Sequence, residues 1–160
     1  MKAVTFQPIG VIHTPFTELS DMPIQPAGEA TACGTVTLLP ELTAGLQDLE
    51  GFSHVILIYH LHQVTRTDLT VTPFLDSEAH GVFATRAPTR PNPIGISVVR
   101  LLRIEGNRLF LAQLDVLDGT PLLDIKPYIP DFDAPQETRI GWLAGLGSSV
   151  RSAKADDRFH

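Results

Sequence analysis

Three prolines within six residues stiffen the segment Arg86-Ala87-Pro88-Thr89-Arg90-Pro91-Asn92-Pro93-Ile94-Gly95. Because this backbone is restricted before any ligand binds, it can display polar side chains at a low cost in ordering entropy. Its two arginines favour an anionic ligand, either a carboxylate or a phosphate. A rigid connector that binds nothing is the alternative interpretation.

A second polar segment, Leu114-Asp115-Val116-Leu117-Asp118-Gly119-Thr120-Pro121, ends a predicted strand in a turn. Its two carboxylates could accept hydrogen bonds from an ammonium group or ribose hydroxyls, or offset a sulfonium charge. Asp-Gly is also ordinary turn chemistry, so a structural role stays open for this segment.

His54, His60 and His62 would share one face of a continuous strand, where histidines can bind zinc or iron. A histidine satisfied within a core or pocket is the more common outcome, and we predict no metal site. The chain has neither a G-x-G-x-x-G segment after a first strand nor a P-loop. Any nucleoside cofactor must therefore be held in another way.

The chain has 160 residues, 43% of them hydrophobic, which suits one compact domain with a single core. No apolar run approaches the roughly 20 residues that a membrane-spanning helix needs. Residues 1–8 lack the apolar stretch of a signal peptide, so we expect a cytoplasmic protein without a membrane partner. The lone Cys33 is predicted to be a buried structural thiol.

The formal net charge of −6 would ordinarily disfavour a polyanionic partner. The charge is unevenly distributed, however, because residues 86–126 contain six basic and four acidic residues. This part of the chain carries a local charge of +2, which allows a basic site within an acidic protein.

Thirteen prolines and twelve glycines divide the sequence into short apolar segments, a pattern typical of a mainly β fold. Gly106-Asn107 predicts a tight hairpin turn, and a proline at position 40 suits the start of a short helix over residues 40–49. The polar tail, 148–160, is predicted to be partly disordered, which leaves 1–147 as the folded domain. The predicted strands cover about 4–13, 33–39, 52–62, 69–74, 94–104, 108–117 and 122–125.

The segment from Gly81 to Gly95, Gly-Val-Phe-Ala-Thr-Arg-Ala-Pro-Thr-Arg-Pro-Asn-Pro-Ile-Gly, closely resembles the signature of the TsaA/TrmO family of methyltransferases. The resemblance continues through 114–121 and 124–128, and covers roughly residues 5 to 145. It implies a mainly β, single-sheeted, closed or nearly closed β-barrel with one or two short helices. It also implies a homodimer that holds S-adenosylmethionine near the subunit interface.

The best-known members of this family methylate the exocyclic nitrogen of threonylcarbamoyl-adenosine beside the tRNA anticodon, so the resemblance implies tRNA as the substrate. Arg86 is expected to bind the methionyl carboxylate, and backbone groups around Leu117 and Gly119 the adenine. Gln63 or Asp118 would bind the ribose or ammonium group. The implied cofactor contacts are Pro23, Ile24, Gln25, His62, Gln63, Arg86, Ile96, Val116, Leu117, Asp118 and Gly119. The candidates for substrate contact are Arg90, Asn92, Lys126 and Tyr128.

Direct in-line transfer of the sulfonium methyl to a substrate nitrogen is the expected mechanism. The general base is left open between His62, Asp118 and a water molecule. Ile24 stands where tRNA-modifying members commonly have arginine, which also leaves the acceptor open. The alternatives are a methyltransferase for a small molecule or another RNA, a non-catalytic module that binds S-adenosylmethionine, and a metal enzyme built on the histidines.

Overall fold

A computed structural model describes residues 2–18, 32–73 and 76–145. Six antiparallel strands close into a barrel in the order β1-β2-β7-β6-β3-β8, and two short strands form a separate small sheet. The predicted β-barrel is therefore confirmed. The strands are β1 (Gly10–His13), β2 (Cys33–Leu38), β3 (His54–His60), β4 (Thr70–Val71), β5 (His80–Gly81), β6 (Ile94–Glu105), β7 (Arg108–Ala112) and β8 (Thr120–Pro127).

The barrel interior is filled by side chains that alternate along each strand, as the period of two in a β-strand requires. On β3, Val55, Leu57 and Tyr59 point inward and are buried, whereas the even-numbered residues between them are half-buried. On β6 the inward residues are Gly95, Ser97 and Val99. The remaining core is almost entirely aliphatic, which gives the barrel one continuous apolar centre.

Two residues with positive φ explain where β7 begins and ends. Gly106 has a φ of 60° and closes the predicted hairpin between β6 and β7. The predicted strand over 108–117 is too long, because Gln113 adopts a left-handed conformation with a φ of 64° immediately after Ala112. The chain therefore leaves β7 at Gln113, and residues 113–119 cross from β7 to β8 at one end of the barrel.

Several other sequence predictions are corrected by the structure. The predicted helix over 40–49 is a pair of 3-10 helices, Pro40–Leu46 and Leu49–Gly51. Cys33 is exposed and not buried, because it starts β2 on the outward side while Val36 and Leu38 point inward. The predicted tail over 148–160 lies outside the described residues.

Short helices follow and flank the barrel. Helix α1 (Pro130–Asp133) and two 3-10 helices, Val82–Ala84 and Gly141–Gly145, lie outside it. Trp142 stacks on His80 with ring centroids 4.5 Å apart, and its Nε1 donates to the Ala84 carbonyl at 2.9 Å. Across residues 2–18, 32–73 and 76–145, no helix has the length and apolar character needed to cross a membrane.

Candidate functional site

Four strands meet at one end of the barrel, which we call the Ile94 rim. Strands β1 and β3 end there at His13 and His60, and β6 and β8 begin there at Ile94 and Thr120. The strand register fixes this arrangement, because His60 pairs with Ile94 and Ile12 pairs with Thr120.

Most of the predicted cofactor residues come together at the Ile94 rim although they are distant in sequence. His62 and Gln63 directly follow β3, Arg86 lies in the loop before β6, and 116–119 leads into β8. Ile96 lies beside the rim on the outer face of β6 and is 53% exposed. Pro23, Ile24 and Gln25 lie outside the described residues.

The turn that contains Asp118 and Gly119 is fastened to β1. The Asp118 carboxylate accepts the Thr14 N–H at 3.0 Å and lies 3.4 Å from His13 Nδ1. Gly119, with a φ of 75°, donates its N–H to the Ile12 carbonyl at 3.0 Å, and Asp118 donates its N–H to the Phe16 carbonyl. These two amides are thus used within the barrel, and the Asp118 carboxylate partly serves to hold the end of β1.

His62, one of the candidate bases, lies close to the start of β8. Its Nδ1 is 3.4 Å from the buried Thr120 hydroxyl, which itself donates to the Leu117 carbonyl at 2.7 Å. Burial, and secondarily the charge of His60, lowers the pKa of His62. The imidazole is therefore mainly neutral at pH 7.

Asp115 is the end of a chain of hydrogen bonds at the Ile94 rim. Ser97 Oγ donates to Asp115 Oδ1 at 2.6 Å, and Tyr59 Oη lies 2.9 Å from Ser97 Oγ. Because the serine has given its only proton to the carboxylate, the tyrosine hydroxyl must donate to the serine. Tyr59 and Ser97 are both buried, whereas Asp115 is only partly buried.

The environment of this network gives Asp115 an unusual pKa. Burial raises the pKa of the carboxyl to about 6, although hydrogen bonds from Ser97 and from the backbone N–H of Asp115, and the positive charge of Arg86, act to lower it. Burial likewise raises the pKa of Tyr59, which stays a protonated donor at neutral pH. The site thus contains a carboxylate that is ionised at pH 7 but more basic than an ordinary surface aspartate.

The network packs against Gly95 at the start of β6. A Cβ added at Gly95 would lie only 2.1 Å from the ring of Tyr59. The ring can therefore reach Ser97 only because position 95 carries no side chain.

Arg86, the residue predicted to bind the methionyl carboxylate, is exposed at the rim. Within the described part of the chain its guanidinium forms no hydrogen bond and no ion pair, yet its charge acts on both Asp115 and Tyr59. An exposed guanidinium without a partner among the described residues is available to a carboxylate group of a ligand.

Arg90 differs from Arg86 because it is turned back onto its own loop. Its Nη1 donates to the carbonyls of Val82 at 3.2 Å, Thr85 at 2.9 Å and Ala87 at 3.4 Å. Its guanidinium also lies 5.8 Å from the Phe83 ring centroid. All three hydrogen bonds use Nη1, so the other guanidinium nitrogens are left for the substrate contact that the sequence predicts. Asn92, in the same loop, is exposed.

We expect Arg90→Ala to lower the free energy of unfolding by about 1–2 kcal/mol, or roughly 3–6 °C in Tm, because the carbonyls of Thr85 and Ala87 lose their donor and the Val82 carbonyl loses one of three. Arg100→Ala, which removes an exposed arginine on β6, is the matched control. Thermal denaturation of the two variants measures the difference. Equal melting temperatures would show that Arg90 does not stabilise the loop.

Lys126 and Tyr128, the other predicted substrate contacts, are far from the rim within one protomer. Lys126 lies six residues along β8 from Thr120, a separation of roughly 20 Å for an extended strand. Its ammonium forms an exposed ion pair with Asp124 at 2.8 Å, and the Tyr128 ring meets His54 edge to face. The structure therefore divides the predicted site into a cofactor cluster and a distant basic and aromatic cluster.

The three histidines considered as metal ligands are separated in the fold. His54 and His60 lie at opposite ends of β3, and His62 lies beyond the strand. Across the described ranges, no group of three or more His, Cys, Asp or Glu side chains is arranged to hold a metal ion.

Comparisons with known proteins assign the chain to a single family. Residues 11–134 match the family described as tRNA-methyltransferase O N-terminal domain. A probable S-adenosyl-L-methionine-binding protein of Pyrococcus abyssi is 53% identical over 98% of this chain and 85% of its own length. The tRNA (adenine(37)-N6)-methyltransferase of Rattus norvegicus is 34% identical over 95% of this chain, which spans only 38% of the rat protein.

The barrel also matches a solved structure. The crystal structure of TrmO from Pseudomonas aeruginosa superposes with a TM-score of 0.75 at 43% identity, covering 88% of this chain and 63% of that one. The sequence comparison and the structural comparison thus indicate the same family over most of the described residues. The chain belongs to the tRNA-methyltransferase O family.

Proposed function

We propose that this chain is an S-adenosylmethionine-dependent methyltransferase that methylates the exocyclic nitrogen of threonylcarbamoyl-adenosine beside the tRNA anticodon. Family membership supports the cofactor and the reaction, and similarity to the rat tRNA (adenine(37)-N6)-methyltransferase supports tRNA adenine as the acceptor. The threonylcarbamoyl group is the finer part of the proposal, and rests on the resemblance of 81–95 to the family signature.

The observation that carries the proposal is the convergence at the Ile94 rim. Segments that start at His62, Arg86 and Val116 are separated by more than 20 residues in sequence, yet the barrel brings all three to the same end. A binding loop stiffened by prolines and a carboxylate held by buried hydroxyls are both features of a site organised before ligand binding.

The residues at the rim fit the charges of the proposed cofactor. Arg86 would hold the methionyl carboxylate, and Gln63 or Asp118 the ribose or the ammonium group. The bound cofactor supplies a methyl group made electrophilic by the sulfonium charge. The chain contributes alignment of that methyl with the acceptor nitrogen and exclusion of water.

The distant cluster at Lys126 and Tyr128 suits a large substrate. A tRNA anticodon stem-loop that places one base at the Ile94 rim can reach protein surface roughly 20 Å away. The Lys126 ammonium would meet phosphate, and the Tyr128 ring can stack on an unpaired base. Arg90 and Asn92 stay candidates for contacts nearer the reacting nitrogen. The cytoplasmic location expected from the sequence would fit such a substrate and stays a prediction.

Transfer of a labelled methyl group from S-adenosylmethionine to two tRNA preparations tests the proposal. We expect transfer to tRNA that carries threonylcarbamoyl-adenosine and none to tRNA that lacks it. Transfer to both would point to another acceptor within tRNA. Cofactor binding without transfer to either tRNA would favour the non-catalytic module.

The outer face of β3 and β6 supports the proposed homodimer. Ile94, Ile96 and Val98 alternate along the outward side of β6 and are 43%, 53% and 39% exposed. Ile96 pairs with Ile58 and Val98 with Ile56, so the apolar surface continues across two strands. A two-fold dimer would cover this surface with a copy of itself and place Ile96 between the subunit interface and the rim.

We expect the wild-type protein to have twice the 17.4 kDa chain mass in solution, and Val98→Glu to be monomeric, because the change would bury a charge at the interface. Light scattering coupled to size-exclusion chromatography gives the two masses. Leu69→Glu is the matched control, since Leu69 is 68% exposed and lies away from this face. A monomeric wild-type protein would contradict the proposed dimer.

A further inference from the structure

The hydrogen-bonded chain from Tyr59 through Ser97 ends on the Asp115 carboxylate. Oδ1 accepts the Ser97 hydroxyl at 2.6 Å. The backbone N–H of Asp115 also acts on the carboxylate, and the residue keeps some solvent exposure. The carboxylate is therefore fixed from the barrel interior while part of it stays accessible to a proton donor outside.

The charged and titratable groups that act on Asp115 come from two neighbouring elements. They are the Tyr59 hydroxyl on β3 and the Arg86 guanidinium in the proline-rich loop. The nearby Asp118 carboxylate is instead turned to Thr14 and His13 on β1. No cation forms an ion pair with Asp115 among the described residues, and Arg86 acts on it only through its charge.

Methyl transfer to the proposed acceptor needs a proton acceptor. The exocyclic nitrogen of a carbamoylated adenine is bonded to both a carbonyl carbon and the purine ring, which withdraw its lone pair. Such a nitrogen becomes a good nucleophile only as its proton leaves. A general base matched to neutral pH accelerates a step of this kind by about 10²- to 10⁴-fold.

The two residues named from the sequence as candidate bases are less suited than Asp115. The Asp118 carboxylate holds the end of β1 through Oδ1, and its side chain is 40% exposed. His62 lies 3.4 Å from the Thr120 hydroxyl, at the limit of a hydrogen bond, and no described carboxylate orients its ring. Asp115 differs from both because two buried hydroxyl groups, those of Ser97 and Tyr59, fix its orientation.

We propose that Asp115 is the general base, held in place by Ser97 and Tyr59, and that its carboxylate accepts the proton of the substrate nitrogen. The proposal rests on the methyltransferase function proposed above. As the nitrogen–methyl bond forms, the sulfur–methyl bond breaks and its electron pair stays on sulfur, which becomes a neutral thioether. The proton passes to the carboxylate, which then releases it to solvent.

The test compares Asp115→Asn with the wild-type protein in methyl transfer to tRNA carrying the proposed acceptor. We expect kcat to fall by about 10²- to 10⁴-fold, while the Kd for S-adenosylmethionine changes much less than kcat. Asp131→Asn, which alters an exposed aspartate away from the rim, is the control and should keep wild-type kcat. A variant that loses cofactor affinity but keeps kcat would overturn the proposal.

A pH profile supplies a readout that a purely structural role would not change. The wild-type kcat should fall as the pH drops through about 6, as Asp115 becomes protonated. Ser97→Ala removes the donor that favours the ionised form, so the fall should move to higher pH. An unmoved profile in Ser97→Ala would refute the role of Asp115 even if Asp115→Asn does not fold.

The same experiments separate this proposal from the proposed function. If the wild-type protein transfers methyl groups and Asp115→Asn does so equally well, only the role of Asp115 is wrong. If the wild-type protein transfers no methyl group to either tRNA preparation, the proposed function and this inference are both wrong.

Discussion

An Arg86→Ala variant will bind S-adenosylmethionine about 10- to 100-fold more weakly than the wild-type protein. The Arg86 guanidinium is exposed at the Ile94 rim and has no partner among the described residues, so its bonding capacity is available to a ligand carboxylate. Hydrogen bonds to charged groups contribute about 1.5–3 kcal/mol, which corresponds to this change in affinity. Isothermal titration calorimetry measures it directly.

Two further variants make the Arg86 result specific. The affinity of Arg86→Lys for S-adenosylmethionine should lie between those of Arg86→Ala and the wild-type protein, because an ammonium keeps the charge but lacks the planar pair of donors. Arg100→Ala, which removes an exposed arginine further along β6, should bind as the wild type does. Unchanged affinity in Arg86→Ala would refute the assigned role.

An Asp115→Asn variant will be more stable than the wild-type protein above pH 6, by about 1–3 kcal/mol. The pKa of the carboxyl is about 6 in the folded protein, above its usual value of about 4. Ionisation of Asp115 therefore lowers the free energy of unfolding of the wild-type protein. This loss of stability is absent at low pH, grows between about pH 4 and 6, and reaches its full size above about pH 6. Asparagine cannot ionise and still accepts the Ser97 hydrogen bond.

Urea denaturation at pH 4 and pH 8 measures this difference. We expect nearly equal stability of the two proteins at pH 4 and a clear advantage of Asp115→Asn at pH 8. Asp131→Asn, at an exposed position, should show no such dependence on pH. If Asp115→Asn is not more stable at pH 8, the carboxylate bears no ionisation cost in the folded protein. A gain in stability together with a loss of activity is typical of a functional residue.

The parts of the fold that depend on local chemistry were predictable from the sequence. The hairpin between β6 and β7 follows from Gly106, whose positive φ the Gly-Asn pair indicated. The end of β7 was not predictable, because Gln113 adopts a left-handed conformation that its residue type does not indicate. The pairing of β4 with β5 was also missed, since each strand contributes only two residues.

The candidate site was predictable only in part, because its contacts are long range. The resemblance to the family selected the segments that meet at the Ile94 rim, but Asp115 was noted only as one of two carboxylates in a turn and was missed as a site residue. The hydrogen bond between Asp115 and Ser97 spans 18 residues and the one between Ser97 and Tyr59 spans 38, and the second depends on the register of β3 with β6. One signal was available: both partners are polar residues at inward positions of apolar strands. The distance of Lys126 from the rim, in contrast, required the observed length of β8.

A crystal structure with saturating S-adenosylmethionine would locate the cofactor on the barrel. We predict that the cofactor lies at the Ile94 rim, with its carboxylate against Arg86 and its nucleoside against residues 116–119. A cofactor found at the opposite end of the barrel, or no bound cofactor at millimolar concentration, would rule out the Ile94 rim as the cofactor site.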